Sequence, residues 1–268
     1  MATAAVQTPT PITPNADLPH ERALGVPTEV ITKTNAEQVA TAWLNEFASK
    51  ITHNNVLGIL GALLTSDAWW RDLLALTWDL RTFQGTEHIK QFLTDRLAHA
   101  QLSNIQLTSA HVDKLYDDLA WIRVHFTFEN KVGTGTGVAR LVPVRAGGHA
   151  ELGERAEWRA HHVFTNLESL RDFPEHTGLR RDFASNHGRW VAQREKEKAF
   201  DTEDPQVLVV GGGQSGLDIA VRLKLMGVKV LICEKNDRIG DNWRNRYDAL
   251  CLHDVVCERT SGLLQPTS

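Results

Sequence analysis

The apolar positions in the first part of the chain repeat at helical spacing. One stripe follows Thr34 and Glu37, which have the spacing of a capping box, and a second follows Asn55, a residue able to cap a helix. The two stripes consist of Val39, Ala40, Trp43, Leu44 and Phe47, and of Val56, Ile59, Leu60, Leu63 and Leu64. Residues 67–83 are dense in tryptophan, and residues 86–99 again show the helical pattern. We therefore predict that this part of the chain is mainly helical.

Beyond these helices, the spacing of the apolar positions changes from about 3.6 residues to 2. Apolar residues stand at every second position of 122–128, which is typical of a strand with one buried face. Further strands are predicted at 105–112, 138–144 and 158–165, and residues 133–137 have the composition of a turn. Helices followed by hairpin-linked strands indicate an α+β domain with a curved antiparallel sheet.

Two stretches lie outside this pattern. Residues 1–33 are rich in Thr, Pro and Ala and have no Lys or Arg before Arg22, so we expect a disordered lead-in rather than a signal or transit peptide. Residues 171–205 include the charged run 194–198, which fits either a solvated helix or a linker. The expected organisation is therefore a folded domain at 34–170 followed by a linker and a second unit.

The second unit opens with four apolar β-forming residues, 207–210, that lead directly into a glycine-rich turn and an amphipathic segment. Each glycine of the G-x-G-x-x-G spacing meets a physical need. Gly211 permits the tight turn, Gly213 lets backbone approach a pyrophosphate, and Gly216 lets the following helix pack closely on the strand. Phosphates bind to the free N–H groups at such a helix N-terminus. The motif therefore predicts a dinucleotide site.

The residues after the glycines agree with this prediction. A second apolar strand, 228–233, ends in Glu234, which lies 18 residues after Gly216. An acidic residue about 20 residues beyond the glycines accepts hydrogen bonds from a ribose. A P-loop is excluded because Leu217 and Asp218 stand where its Lys and Ser or Thr would be, and a nucleophile elbow would need glycine in place of Leu217.

Composition and charge narrow the functional classes. A net charge of -4 over 268 residues argues against a nucleic-acid partner, and no apolar run approaches the roughly 18 residues of a membrane span. The three cysteines have no CxxC spacing, which favours thiols in a reducing compartment and a cytoplasmic location. The 12 histidines are scattered, and the adjacent His161 and His162 would point to opposite faces of a strand, so no metal site is expected.

Residues 35–170 resemble the NTF2-like, or SnoaL-like, cone fold. The residues that carry the resemblance are Trp69-Trp70-Arg71-Asp72, Leu76-Thr77-Trp78-Asp79 and Glu157-Trp158. Members of this fold enclose a pocket, and some are cyclases or isomerases that use an inward Asp or His. The candidates for such a site are Asp72, Asp79, His125 and His162. Solvated or structural roles are the preferred interpretation of these four, and Trp69, Trp70 and Trp78 are assigned to the core.

The stretch after Glu234, from Arg238 to Tyr247, resembles the G-G-x-W loop of flavin-containing and Baeyer-Villiger monooxygenases, which comes back over FAD. The resemblance implies that FAD is the first nucleotide bound. The implied site residues are Gly211, Gly213, Gln214, Ser215 and Gly216 for the pyrophosphate, Glu234 for the adenosine ribose, and Arg238, Gly240, Asp241, Asn242 and Trp243 for the approach to the flavin. Asp241 replaces the usual second glycine of the loop.

The resemblance also implies a reaction, in which NADPH reduces FAD and O₂ then oxygenates a small organic substrate. No nucleophilic side chain is needed, so the catalytic residues stay unknown. No second G-x-G-x-x-G is present for NADPH, and residues 255–268 lack the family's character. Residues 206–254 are therefore expected to be the first part of an FAD-binding domain in a truncated chain that is inactive alone. The alternatives are a stand-alone binding or dimerisation module, which would form a homodimer, and a cone-fold cyclase or isomerase.

Overall fold

The structure is a computed structural model that describes residues 18–144, 157–200, 203–246 and 248. The chain divides after Leu170 into two compact units. The first unit contains helices and a six-stranded sheet, and the second contains a two-stranded sheet with its own helices.

The first unit places its helices mostly before its strands. Its helices are α1 (Glu21–Leu24), α2 (Thr28–Thr32), α3 (Ala36–Thr52), α4 (Val56–Gly58, continued by the π-helical residues Ile59–Leu63) and α5 (Gly85–Ala100). Its strands are β1 (Leu64–Leu73), β2 (Leu80–Gln84), β3 (Ser103–Tyr116), β4 (Leu119–Glu129), β5 (Gly133–Val144) and β6 (Glu157–Leu170). The strand order is β2-β1-β6-β5-β4-β3. The predicted α+β class is confirmed.

One strand pair differs from the prediction of an antiparallel sheet. Four pairs are antiparallel, namely β1–β2, β3–β4, β4–β5 and β5–β6, whereas β1 and β6 run parallel. Parallel neighbours need a long crossover, and here the crossover consists of everything between the two strands, including α5 and four further strands. The sheet is therefore mixed. The alternation of apolar residues predicts which face of a strand is buried but carries no information on the direction of its neighbour.

Aromatic residues from the helices and the strands form a single core on one face of the sheet. The rings of Trp43 and Phe47 on α3 stack with centroids 5.1 Å apart. Phe47 also contacts Trp70 of β1 at 6.2 Å and Phe126 of β4 at 5.9 Å. The predicted stripe on α3 and the predicted alternation in 122–128 thus meet in the same core, which confirms both patterns.

The predicted helical region 67–83 instead forms most of the β1–β2 hairpin. Trp70 is fully buried, which agrees with its assignment to the core, but Trp78 is 72% exposed and Trp69 is half-buried. The predicted helix caps are correct at Asn55, whose side chain accepts from the N–H of Gly58. At α3 the cap is Asn35 instead of Thr34.

The predicted turn at 133–137 is the first part of strand β5. Gly135 and Gly137 pair across the sheet with Phe128 and Phe126, whose rings lie over them. A Cβ built on Gly137 would lie 2.1 Å from Cζ of Phe126. Here the glycines therefore make room for aromatic rings instead of forming a turn, and the chain reverses just before them, where Asn130 accepts hydrogen bonds from the turn's N–H groups.

Residues 18–33 pack on the sheet, which corrects the prediction of a disordered lead-in for this part of 1–33. Val26 and Ile31 are 2% and 1% exposed. Leu24 packs on the face opposite the main core, against a cluster of Leu119, Trp121 and Val142. Helices α1 and α2 have only four and five residues, too few for a helical repeat to show in the sequence. Residues 1–17 lie outside the described part of the chain.

The second unit is a parallel βαβ unit preceded by helical segments. It contains a 3-10 turn (Gly178–Arg180), α6 (Trp190–Ala199), β7 (Val207–Val210), α7 (Gln214–Leu225), β8 (Val230–Cys233) and α8 (Asp241–Arg244). Strands β7 and β8 pair in parallel, and Val209 of β7 and Ala220 of α7 are both buried. The charged run of the expected linker lies in α6, so the solvated-helix alternative is the one that the structure adopts.

Candidate functional site

The loop between β7 and α7 requires glycine at two positions of the motif. Gly211 has a φ of +104°, in the region that side chains rarely adopt. A Cβ on Gly216 would lie 2.0 Å from the backbone oxygen of Gly211, so any larger residue would push α7 away from the strand. These two glycines have the turn and packing roles that the motif predicts.

Gly213 leaves the backbone at the start of α7 open. It is the N-cap residue of this twelve-residue helix, and no side chain caps the helix there. A Cβ on Gly213 would meet only Nδ2 of Asn242, at 3.3 Å. The first residues of α7, Gln214 and Ser215, therefore present backbone N–H groups at the positive end of the helix. Such a cradle fits a pyrophosphate.

Glu234 stands at the carboxyl end of β8 and is tied to the glycine loop. Its Oε2 accepts a 2.6 Å hydrogen bond from the N–H of Gly212. Its Oε1 accepts from the backbone N–H of Asn236 at 2.9 Å and from the side-chain Nδ2 at 2.7 Å. The backbone N–H groups of Asn236 and Gly212 hold the pKa of Glu234 below its ordinary value, so the carboxylate is ionised at neutral pH.

Asp241 organises the loop that follows. Its carboxylate accepts hydrogen bonds from Nε of Arg238 at 3.1 Å and from Nη1 of Arg244 at 2.7 Å. Hydrogen bonding by Arg244, and then by Arg238, lowers the pKa of Asp241. Gly240 just before it has a φ of +92° and begins α8. Asp241, 8% exposed, thus acts inside the loop that it shares with Gly240.

The structure brings the predicted residues of the second unit to one edge of its sheet. The glycine loop follows the carboxyl end of β7, and Glu234 follows the carboxyl end of β8. Asn242 approaches the glycine loop at Gly213, and Trp243 beside it is 38% exposed. In open α/β sheets, this is the edge at which ligands bind.

The four candidate residues of the first unit have structural or solvated positions. Asp72 is fully buried and accepts hydrogen bonds from Leu76 N–H, from the N–H and Oγ1 of Thr77, and from Oγ1 of Thr165 at 2.7 Å. Asp79 is exposed and paired with Nε of Arg81 at 2.7 Å. The hydrogen bond from Leu80, followed by Arg81, lowers the pKa of Asp79.

The two candidate histidines lie on different strands. His125 of β4 pairs with Val138, whereas His162 of β6 pairs with Arg140. Burial, and then the charge of Arg123, lowers the pKa of His125. The sheet therefore does not gather the four candidates into one site.

His161 and His162 contradict the expectation that they point to opposite faces. Their rings lie 4.5 Å apart between centroids, and their Nδ1 atoms are 3.0 Å apart. The cause is an irregularity in β6, where the pairing with β5 shifts register. The sequence carries no signal of this bulge, so the group around His161 was missed. Among the described residues, no three His, Cys, Asp or Glu side chains are grouped to hold a metal ion.

Residues 209–266 match the family model of the NAD(P)-binding Rossmann-like domain. The second unit is Rossmann-like. Its relatives include an uncharacterized oxidoreductase CzcO-like of Geobacillus kaustophilus, 50% identical over 46 residues, which are 17% of this chain and 13% of the relative. Indole-3-pyruvate monooxygenase YUCCA1 of Oryza sativa subsp. japonica is 41% identical over 54 residues, 20% of this chain and 13% of the relative. These matches confirm the predicted resemblance to FAD/NAD(P)-binding monooxygenase-like proteins.

The chain thus spans about an eighth of the length of these relatives, 13% in each case. Solved structures similar to it include a putative aromatic ring hydroxylase from Novosphingobium aromaticivorans, with a TM-score of 0.36, 19% identity, and coverage of 53% of this chain and 92% of the other. An NTF2-like protein of unknown function from Rhodospirillum rubrum has a TM-score of 0.33, 13% identity, and coverage of 48% and 98%. The first unit has the helix-covered mixed sheet of the predicted NTF2-like class in its own element order. Within the described residues, no helix has the length and apolar character needed to cross a membrane.

Proposed function

We propose that the second unit binds the adenosine diphosphate half of FAD and that the chain is part of a flavin-dependent monooxygenase. The observation that carries the proposal is the open start of α7 at Gly213, with Glu234 fixed beside it at the end of the neighbouring strand. The oxidoreductase names of the relatives support the same class. The substrate would be a small organic molecule, and NADPH and O₂ would be the co-reactants.

Each part of the site would have a separate task. The backbone of Gly211, Gly213, Gln214, Ser215 and Gly216 would hold the pyrophosphate, and Glu234 would accept a hydrogen bond from the adenosine ribose. A further loop would line the approach to the flavin, and it consists of Arg238, Gly240, Asp241, Asn242 and Trp243. FAD, when bound, supplies the redox chemistry between NADPH and O₂. The residues of this chain would bind and orient it.

The charge of Glu234 favours FAD over NADPH at this loop. A carboxylate beside the adenosine ribose accepts from free hydroxyl groups and repels a 2′-phosphate. Because the pKa of Glu234 is lowered, the repulsion would persist at neutral pH. The nucleotide bound here would therefore lack a 2′-phosphate, as FAD does.

A second candidate is a binding or dimerisation module formed by residues 34–170 alone. The observation in its favour is that this unit has a complete core of its own, with residues from α3, α5 and the sheet fully buried. Residues 206–254 would then be vestigial. The arrangement does not favour a cyclase or isomerase through Asp72, because hydrogen bonds from Leu76, Thr77 and Thr165 surround its carboxylate. A cytoplasmic location stays a proposal in either case.

Titration of the full chain with FAD, FMN and NADPH tests the proposal. FAD should bind stoichiometrically and quench its flavin fluorescence, whereas FMN should bind more weakly because it lacks the adenosine and the second phosphate. NADPH should compete poorly. A colourless, stable dimer that binds none of the three would favour the module. Oxidation of NADPH by the chain supplied with FAD would contradict the expectation that the chain is inactive alone.

A further inference from the structure

A bulge in the first unit separates two strands that otherwise pair closely. Four residues of β1, 65–68, lie opposite a single residue of β6, His161. The regular pairs on either side are Leu64 with Ala160 and Trp69 with His162. Residues 65–68 are therefore not paired one to one with residues of β6, which is typical of bulges that re-aim a side chain.

A cleft of about 400 Å³ opens beside this bulge. Its apolar side is formed by Leu18, Leu24 and Val144, and its polar side by Thr65, Arg159 and His161. The volume is within the range of roughly 300–1,000 Å³ that small-molecule sites occupy, and an apolar wall with a few convergent polar groups is their usual composition.

Three buried polar atoms of the cleft lack a well-formed hydrogen bond in the described structure: Nε of Arg159, and Oγ1 of Thr65 and Nε2 of His161, which have only the carboxylate of Asp67 near them. Only one further buried side-chain atom in the described residues shares this condition, Nε of Arg123. Thr65 is 7% exposed and His161 is 2% exposed. Native structures leave few such atoms, so three around one cleft point to a ligand that pairs with them.

The three atoms share donor character. Nε of Arg159 can only donate, and the hydroxyl of Thr65 can donate. Nε2 of His161 lies 3.3 Å from Oδ2 of Asp67, which favours a proton on Nε2. Nδ1 of His161 then accepts from Nδ1 of His162, 3.0 Å away. The complementary ligand atom is therefore an acceptor.

The charges around the cleft indicate that the acceptor group of the ligand is uncharged. The guanidinium of Arg159 is already paired with Glu157, its Nη2 3.1 Å from Oε2. Burial lowers the pKa of His161, so that ring is neutral at neutral pH. Asp67, with its side chain 60% exposed at the rim, then leaves the cleft with a negative balance. A carboxylate ligand would be repelled, whereas a carbonyl oxygen would not.

We propose that this cleft is a binding site for a small uncharged molecule with a carbonyl group and an apolar body, of which a carboxamide is the best match. Its carbonyl oxygen accepts from Arg159 and Thr65, its amide N–H₂ donates to Asp67, and its apolar body packs on Leu24 and Val144. The site involves only the first unit and does not depend on nucleotide binding by the second.

Benzamide is the probe, and its isosteric anion benzoate is the comparison. In the full chain with labelled histidine, NMR should show a saturable shift of the His161 ring resonances on addition of benzamide. Benzoate should need about ten times the concentration for the same shift, because of the negative balance. Absence of any shift up to the solubility limit of benzamide, or tighter binding of benzoate, overturns the proposal.

Variants locate the site. Thr65→Val and Arg159→Met each remove one donor and should weaken benzamide binding about three- to tenfold. Arg123→Met is the matched control, because Nε of Arg123 is equally buried and unpartnered but lies outside the cleft. Thr65→Ser keeps the hydroxyl and should keep the affinity, which separates loss of the donor from loss of the fold. Equal weakening by Arg123→Met and Arg159→Met would contradict the assignment.

Discussion

Oε2 of Glu234 accepts a 2.6 Å hydrogen bond from the backbone N–H of Gly212, 22 residues earlier in the chain. Together with the two bonds from Asn236, three of the roughly four acceptor positions of the carboxylate are occupied. One position is left for a ribose hydroxyl. Glu234 holds the glycine loop against the end of β8. Under the proposed function, the same carboxylate would have a second task, the recognition of the ribose.

Replacing Glu234 with Gln should lower the affinity for FAD about tenfold. The amide can offer one oxygen to Gly212 or to Asn236 but not to both, so the loop loses one of its supports. Flavin fluorescence titration measures the affinity, and hydrogen exchange of the Gly212 amide measures the support. Asp237→Asn is the control, because Asp237 is exposed in the same loop. Unchanged FAD affinity and unchanged Gly212 protection would rule out both tasks.

Gly213→Ala should affect FAD binding, whereas Gly216→Ala should affect stability. At Gly213, φ is −77° and the nearest atom to a new Cβ is a side-chain nitrogen at 3.3 Å, so Gly213→Ala should leave the melting temperature unchanged while FAD binding falls. At Gly216, the Cβ would lie 2.0 Å from the Gly211 oxygen, so Gly216→Ala should destabilise the second unit by roughly 1–3 kcal/mol. Thermal unfolding and FAD titration of both variants distinguish these outcomes. Wild-type FAD affinity in Gly213→Ala would show that no phosphate approaches there.

The second unit could be predicted closely because its signals are local. The order of strand, glycines, helix, strand and acid in 207–234 is set by neighbouring residues, and the structure reproduces it. The structure of the first unit was harder to predict from the sequence. Gly135 and Gly137 look like turn residues in the sequence, and only the rings of Phe126 and Phe128 on the next strand explain their place in β5.

The contacts that sequence reasoning missed, around His161 and around Glu234, were missed for the same reason, because they depend on segments that are not neighbours in the chain. The meeting of His161 and His162 depends on a register shift between strands, and register is a property of the pair. The hydrogen bond from the N–H of Gly212 to Glu234 could not be predicted from spacing either, although the spacing singled out Glu234. The sequence therefore predicted which residues lie at this edge of the two-stranded sheet, but not how they contact one another.

Asp72→Asn should destabilise the first unit by about 1–3 kcal/mol. Both carboxylate oxygens of Asp72 accept hydrogen bonds, from Thr165 on one side and from Thr77 on the other, so an amide NH₂ would face a donor in either orientation. Urea unfolding measures the change. Asp79→Asn, in an exposed position, should change stability little. If Asp72→Asn were as stable as the wild type but lost a small-molecule activity, the cyclase alternative would regain support.

The pH dependence of stability should report His162. Burial, together with His161 and Arg140, lowers the pKa of His162 to about 4 from an ordinary value of 6.5. Between these two pH values, the unfolded chain binds the proton more readily than the folded chain does. The contribution of the neutral His162 ring to the free energy of unfolding is therefore complete above about pH 6.5 and is lost as the pH falls towards 4. Allowing for partial exposure of the ring, we expect a loss of about 2 kcal/mol.

Comparison of the wild type with His162→Gln isolates this effect. The free energy of unfolding of the variant should fall less steeply between pH 6.5 and 4, whatever its absolute value. His161 and Asp67 titrate nearby in both proteins, so the difference between the two slopes is the informative quantity. Identical slopes would mean that His162 has the same pKa in the folded and unfolded chains.

The parallel pairing of β1 with β6 also determines when the six-stranded sheet can be completed during translation. Strand β1 (Leu64–Leu73) has its sheet neighbour only after β6 (Glu157–Leu170) has been synthesised. Until then, one edge of the β1–β2 hairpin has no strand beside it, and contacts this distant in sequence form slowly. The glycine loop begins about forty residues after β6 ends, so every strand of the six-stranded sheet has been synthesised before the loop of the second unit is made.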